Sequence, residues 1–173
     1  MRKIFFLILT GIIISCQPPQ NTDQDVPSDD LKEVLAINLK KSHFENNWYV
    51  SLNASIEGLT HEQAHWKDSS ENHSVCELVS HLAFWNERLL MSFDGEEPSE
   101  FDGDNKRTFT VYCEEDWETS LRRMKELSEQ CDKAVESGTA EQIYERRNAL
   151  ANMASHNAYH TGQIMYIRKM KGW

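Results

Sequence analysis

No Cys-x-x-Cys pair occurs in this chain, which excludes zinc-finger and thioredoxin-type readings of its cysteines. Nothing after the N-terminal residues resembles a transmembrane helix, and Ile4 to Ile14, an apolar run of eleven residues broken only by Thr10 and Gly11, falls short of the roughly 20 that a spanning helix needs. Basic residues are outnumbered. Beyond Cys16 there are 16 Lys and Arg against 28 Asp and Glu, a net charge of −12. Such a surface repels nucleic acid and anionic lipid, so no nucleic-acid partner is expected. No credible sheet pattern, no internal repeat and no low-complexity tract beyond residues 17–30 can be found.

The two ends of the chain differ in kind. Arg2 and Lys3 form a basic start, and the apolar run after them suits the core of a signal peptide. It closes on Ile13-Ile14-Ser15-Cys16, which resembles a bacterial lipobox. Residues 1–16 are therefore expected to be a lipoprotein signal peptide, with Cys16 lipidated as the new first residue; the alternative is an ordinary secretory signal. Residues 17–30 are Pro, Gln, Asn, Asp, Ser and Thr with one Val, and are expected to form a flexible tether. Membrane lipid is then a partner through this N-terminal anchor. The expected location is the cell envelope, on the outside of the cytoplasmic membrane or in the outer membrane of a bacterium.

Residues 31–173 suit one domain and carry helical periodicity. Four helices are expected. The first runs from Asp30 to Ile56 with Leu31, Leu35, Phe44, Trp48, Leu52 and Ile56 as a stripe. The second spans Ser74 to Phe93, opened by a Ser74/Glu77 capping box. The third spans Glu114 to Ser137, and the fourth ends near Met170. Leu59 to Asn72 is a polar connection with room for a helical turn, and Thr108 to Tyr112 is expected to be extended. The fold class is all-α, a four-helix bundle. Cys76, Cys113 and Cys131 are spaced irregularly. They are taken as small helix residues without a role, with one bridged pair as the alternative in an oxidising compartment.

The chemistry concentrates in His156-Asn157-Ala158-Tyr159-His160-Thr161-Gly162-Gln163-Ile164. Histidines four apart on a helix stand one above the other, so His156 and His160 can reach one metal ion. Leu150, Met153, Ile164 and Ile167 frame the pair, and Gly162 is expected to admit a facing helix. His81 stands among Leu78, Leu82 and Trp85 on the buried side of its own helix. Three inward imidazoles would hold a divalent ion and leave a coordination position open, as a catalytic metal requires. Tyr159, Gln163 and Glu77 are candidates for supporting the ligands, and no obvious general base is present. His61-Glu62-Gln63-Ala64-His65 has zincin spacing but no apolar frame, and is taken as solvated.

The pattern Ser-Val-x-Glu-Leu-Val-x-His-Leu-Ala from Ser74 to Ala83, the segment His156 to Ile164, and Gly58-Leu59-Thr60 with Glu62-Gln63-Ala64 together resemble the DinB/YfiT-like family. That resemblance implies a metal-binding four-helix bundle with His81, His156 and His160 as ligands and zinc or nickel as the ion. It also implies a metal-dependent hydrolase or thiol S-transferase acting on a small molecule. His73 stands where the family often has tryptophan, and is expected at the solvent side of the helix start. A non-catalytic lipoprotein that binds metal, a ligand or an envelope partner is the alternative function, and inert core histidines a third. Bundles of this type often pair, so a homodimer is also an expectation.

Overall fold

The computed structural model describes residues 27–68, 71–95, 101–113 and 116–173. The expected signal peptide, Cys16 and most of the tether lie outside them. Among the described residues there are six α-helices and no strand: α1 (Asp29–His43), α2 (Leu52–Ile56), α3 (His61–His65), α4 (Val75–Asp94), α5 (Trp117–Ser137) and α6 (Ala140–Lys171). A 3-10 helix covers Asn105–Phe109. The four long helices form the bundle, with α1 against α5 and α6, and α4 against the same two. None of the described helices is long and apolar enough to cross a membrane.

Short polar side chains set the helix starts. Ser28 accepts from the Leu31 amide, so α1 takes in Asp29 and Asp30 from the expected tether. Ser74 and Glu77 form the anticipated capping box of α4, and Thr139 and Gln142 form another for α6. These pairs satisfy amide groups that have no partner within the helix. Thr139 to Arg146 is thus the start of the last helix. Gly95 and Gly172, both at positive φ, close α4 and α6 with left-handed caps that a side chain would strain.

The core has two apolar clusters with a polar layer between them. One gathers Leu52, Ile56, Leu78, Leu82, Trp117, Met124 and Ile164; the other gathers Leu35, Leu39, Val135, Ile143 and Leu150. Along α4 and α6, Asn86 and Asn157 fall between the residues of the two clusters. The His43 ring, fully buried, is hydrogen-bonded by Nδ1 to Asp132 at 2.8 Å and by Nε2 to Asn86 at 3.0 Å. Asn86 in turn donates to Asn157, and Asn157 to Ser42. All four long helices contribute to this network. A buried polar group is costly without a partner, so the network favours one register of the helices over its neighbours.

Four expectations are corrected. The first helix does not continue to Ile56: it ends at His43, whose carbonyl accepts from Asn53, and Asn46 caps the Ser51 amide before α2 begins. Trp48, placed on the buried stripe, is 97% exposed. Thr108–Tyr112 is not extended. Asp104 accepts from the Lys106 amide and the Thr108 hydroxyl donates to the Asn105 carbonyl, and these local bonds wind the segment into the 3-10 helix and the turn after it. Gly162 admits no facing helix, because a Cβ there would meet nothing within 4 Å. The cysteines also differ from their first reading: Cys76 and Cys113 are bridged, and Cys131 is free and buried. Burial, aided by Asp132, pushes the Cys131 thiol up to about 12.

Candidate metal centre

His81 from α4 and His156 and His160 from α6 come together as the sequence suggests. One donor nitrogen from each lies within 4.8 Å of the other two. The ring centroids are 4.6 to 4.9 Å apart. His81 and His160 are 3% and 7% exposed, and His156 is half-buried. Imidazole nitrogens about 2.0–2.1 Å from one zinc ion sit roughly 3.3 Å apart. Small side-chain adjustments therefore suffice to bring this set onto a single ion.

Hydrogen bonds to the outer nitrogens decide which nitrogens face inward. The Thr108 hydroxyl proton goes to the Asn105 carbonyl at 2.7 Å. Its oxygen is therefore an acceptor toward His81 Nδ1, 2.5 Å away, so Nδ1 carries the proton. The Nε2 lone pair of His81 points into the cluster. Gln163 Oε1 likewise accepts from His160 Nδ1 at 2.6 Å, which leaves Nε2 of His160 as its donor to a metal. His156 Nε2 lies 2.9 Å from His81 Nε2 and donates its proton there. A metal held by all three requires only that this proton move to the other ring nitrogen of His156.

Electrostatics favours the ligating form. Burial pushes His81 down to about 3, with the charges of His160, His156 and His73 acting in the same direction. Burial pushes His156 down to about 4, with His160 adding to it. His160 is lowered by burial as well, against an opposing contribution from the Gln163 hydrogen bond. Near neutral pH the cluster presents neutral imidazoles, the state that binds a metal. The donor chemistry, the fixed outer nitrogens and the neutral state all fit a divalent ion.

The surroundings assign the remaining candidates. Phe109 is sandwiched between His81, at 4.1 Å and 4°, and His73, at 3.7 Å and 2°. His73 is therefore part of a three-ring stack that steadies His81 and stands outside the ligand cluster. Glu77 is committed elsewhere: it closes the α4 cap, pairs with Lys67 at 3.0 Å and meets His73 at 3.3 Å. Burial alone would raise its carboxyl, but the Ser74 amide and Lys67 hold it below the usual range. Gln163 also donates to the Tyr159 hydroxyl at 3.4 Å, and both residues line a cleft of about 480 Å³ with Trp66, Tyr166, Gly162 and Met170. His61 and His65 do lie on a helix, but their rings stack at 4.0 Å and His65 Nδ1 is tied back to the His61 carbonyl. They do not converge on an ion as a zincin pair would.

Thr108 and Phe109 were not singled out in the sequence. They lie on the segment after α4 that departs from the expected conformation, and no spacing rule links them to His81. Ser80, one residue before His81, holds this segment through the Thr108 carbonyl and the Tyr112 amide.

A family model described as the DinB superfamily matches residues 43–164, a span that contains all three histidines and Thr108. The chain belongs to that superfamily. No curated protein and no solved structure matches it.

Proposed function

We propose that this DinB-superfamily chain is a membrane-anchored, divalent-metal-dependent enzyme of hydrolase or thiol S-transferase type. The observation that carries the reading is the convergence of three neutral imidazoles, two of them locked by Thr108 and Gln163, beside a cleft of about 480 Å³. Zinc or nickel suits an all-imidazole donor set. A bound ion would supply Lewis acidity there, bringing a coordinated water or thiol toward its deprotonated form near neutral pH.

The chain's own residues define the rest. Thr108 and Gln163 keep protons on the outer nitrogens of His81 and His160, so that both rings stay aimed inward. Gln163 and Tyr159 lie at the boundary between the imidazoles and the cleft, where they can orient a small-molecule substrate. Trp66, Tyr166 and Met170 offer that molecule an apolar and aromatic wall, and Lys67, Asp68 and Glu71 a polar rim. Glu77 is held by the helix cap and its ion pair with Lys67. Lipidation at Cys16 would hold the domain in the cell envelope. A thiol cofactor confined to the cytosol is absent there, which favours hydrolysis or a different thiol.

The test is a screen of ester, amide and phosphoester hydrolysis and of thiol transfer, on the full chain in mild detergent with zinc or nickel. Turnover that needs the metal, disappears in His156→Ala and persists in His61→Ala supports the enzyme. Metal binding without turnover across these classes moves the reading to a non-catalytic binding lipoprotein. Anchoring is read separately by fatty-acid labelling, expected for the native chain and lost in Cys16→Ser.

A further inference from the structure

A second group of metal-ligating side chains lies apart from the three histidines. His65, Cys76 and Cys113 each place one donor atom within 4.8 Å of the other two. Cys76 is buried in the first turn of α4, and Cys113 sits in the turn after the 3-10 helix. Their Cα atoms are 5.4 Å apart, and the two sulfurs are bridged. His65 Nδ1 gives its proton to the His61 carbonyl at 2.8 Å. Nε2 lies 3.4 Å from the Cys113 carbonyl, also an acceptor; a neutral ring has one proton, the shorter Nδ1 contact holds it, and Nε2 is the nitrogen left to ligate. Nε2 is the ring nitrogen on the side of Cys113, next to the bridged pair.

We propose that reduction of the Cys76–Cys113 bridge turns this cluster into a second metal site, with two thiolates and His65 Nε2 binding a soft divalent ion such as zinc. A dithiol reductant delivers two electrons and two protons to the S–S bond, giving two thiols and becoming a disulfide itself. Binding of the ion expels both thiol protons, because the thiolate is the ligand. Reoxidation by a small-molecule disulfide removes two electrons, reforms the bridge and releases the ion. Two cysteines and one histidine leave a fourth position for water. Thiolates about 2.3 Å from a zinc ion stand roughly 3.8 Å apart, a separation that two unbridged sulfurs can take up at this Cα spacing.

The site has a structural consequence. The bridge ties the segment that carries Thr108 and Phe109 to the start of α4, one turn before His81. A metal between Cys76 and Cys113 preserves that tie when the bridge is reduced. The segment then stays against His81 in both redox states.

Cobalt is the probe, because thiolate-to-cobalt charge transfer absorbs in the near ultraviolet and the three-histidine centre contains no sulfur. The full chain in detergent is titrated with cobalt, oxidised and after reduction with a phosphine. The expected result is a charge-transfer band in the reduced protein only, saturating with one cobalt per chain beyond the ion held by the three histidines. The band is retained in Cys131→Ser, absent in Cys113→Ser and weakened at least about tenfold in affinity in His65→Ala. No band in the reduced wild type, the same band in Cys113→Ser, an unaltered affinity in His65→Ala, or loss of helical circular dichroism on reduction with cobalt present would each overturn the proposal.

Discussion

Thr108→Val removes one hydroxyl and keeps the shape of the side chain. In the native protein that hydroxyl donates to Asn105 and accepts from His81 Nδ1, and Thr108 is 1% exposed. The variant leaves a buried imidazole N–H without an acceptor, which costs about 1–3 kcal/mol of stability. It also frees His81 to rotate or to carry its proton on Nε2, where a proton blocks ligation. Loss of such a supporting hydrogen bond lowers metal affinity by about 10–100-fold, or roughly 1.4–2.8 kcal/mol. Zinc affinity is measured by competition with a chromophoric chelator, and stability by thermal melts with and without zinc. The metal-induced rise in Tm should shrink along with the affinity. Thr110→Val is the control, since the Thr110 hydroxyl is exposed and reaches only the Arg107 carbonyl. Zinc affinity unchanged in Thr108→Val, with stability alone reduced, would refute the reasoning: the hydroxyl would then serve the 3-10 helix and not a ligand.

The same logic gives further outcomes. Gln163→Leu should weaken zinc binding by about tenfold, and Gln163→Glu, which restores an acceptor for His160 Nδ1, should recover most of it in the same competition assay. The apo protein should be less stable in mild acid. His81 and His156 sit near 3 and 4 in the fold against about 6.5 for a free imidazole, so the unfolded chain takes up protons first as pH falls. Their contribution is intact above about 6.5 and is lost progressively down toward 4, and urea melts across that range should show a shallower fall in His156→Asn. Asp132→Ala leaves the buried His43 ring without its Nδ1 partner and should cost about 1–3 kcal/mol by urea unfolding. Glu136→Ala, which removes a pair half-exposed on both sides, should cost under about 1 kcal/mol.

Much of this architecture was legible because it rests on local chemistry. The capping residues Ser74 and Glu77, the stripe from Trp117 to Val135 and the i, i+4 pair on α6 are periodic or short-range signals, and the structure places them as the pattern implies. The break at His43 was not legible. Leu52 and Ile56 keep the helical spacing across it, but the chain leaves the helix because His43 and Asn53 bond through space to α5 and Asn53 donates to the His43 carbonyl. The support of His81 was equally hidden: Thr108 lies 27 residues downstream in a segment whose alternation suggested a strand. His65, Cys76 and Cys113 show no motif spacing, since they meet only when α3 and the turn after the 3-10 helix pack on α4. Contacts made by tertiary packing leave no period in the chain.

The most direct test of the three-histidine centre is metal content by mass spectrometry. The full chain is purified in detergent without a His tag or chelator, with the Cys76–Cys113 bridge intact, beside the His156→Ala, His160→Ala variant. Close to one divalent ion per native chain is expected, and essentially none in the variant. A native chain that holds no metal and takes up neither zinc nor nickel, or a variant that retains as much as the native protein, would contradict it.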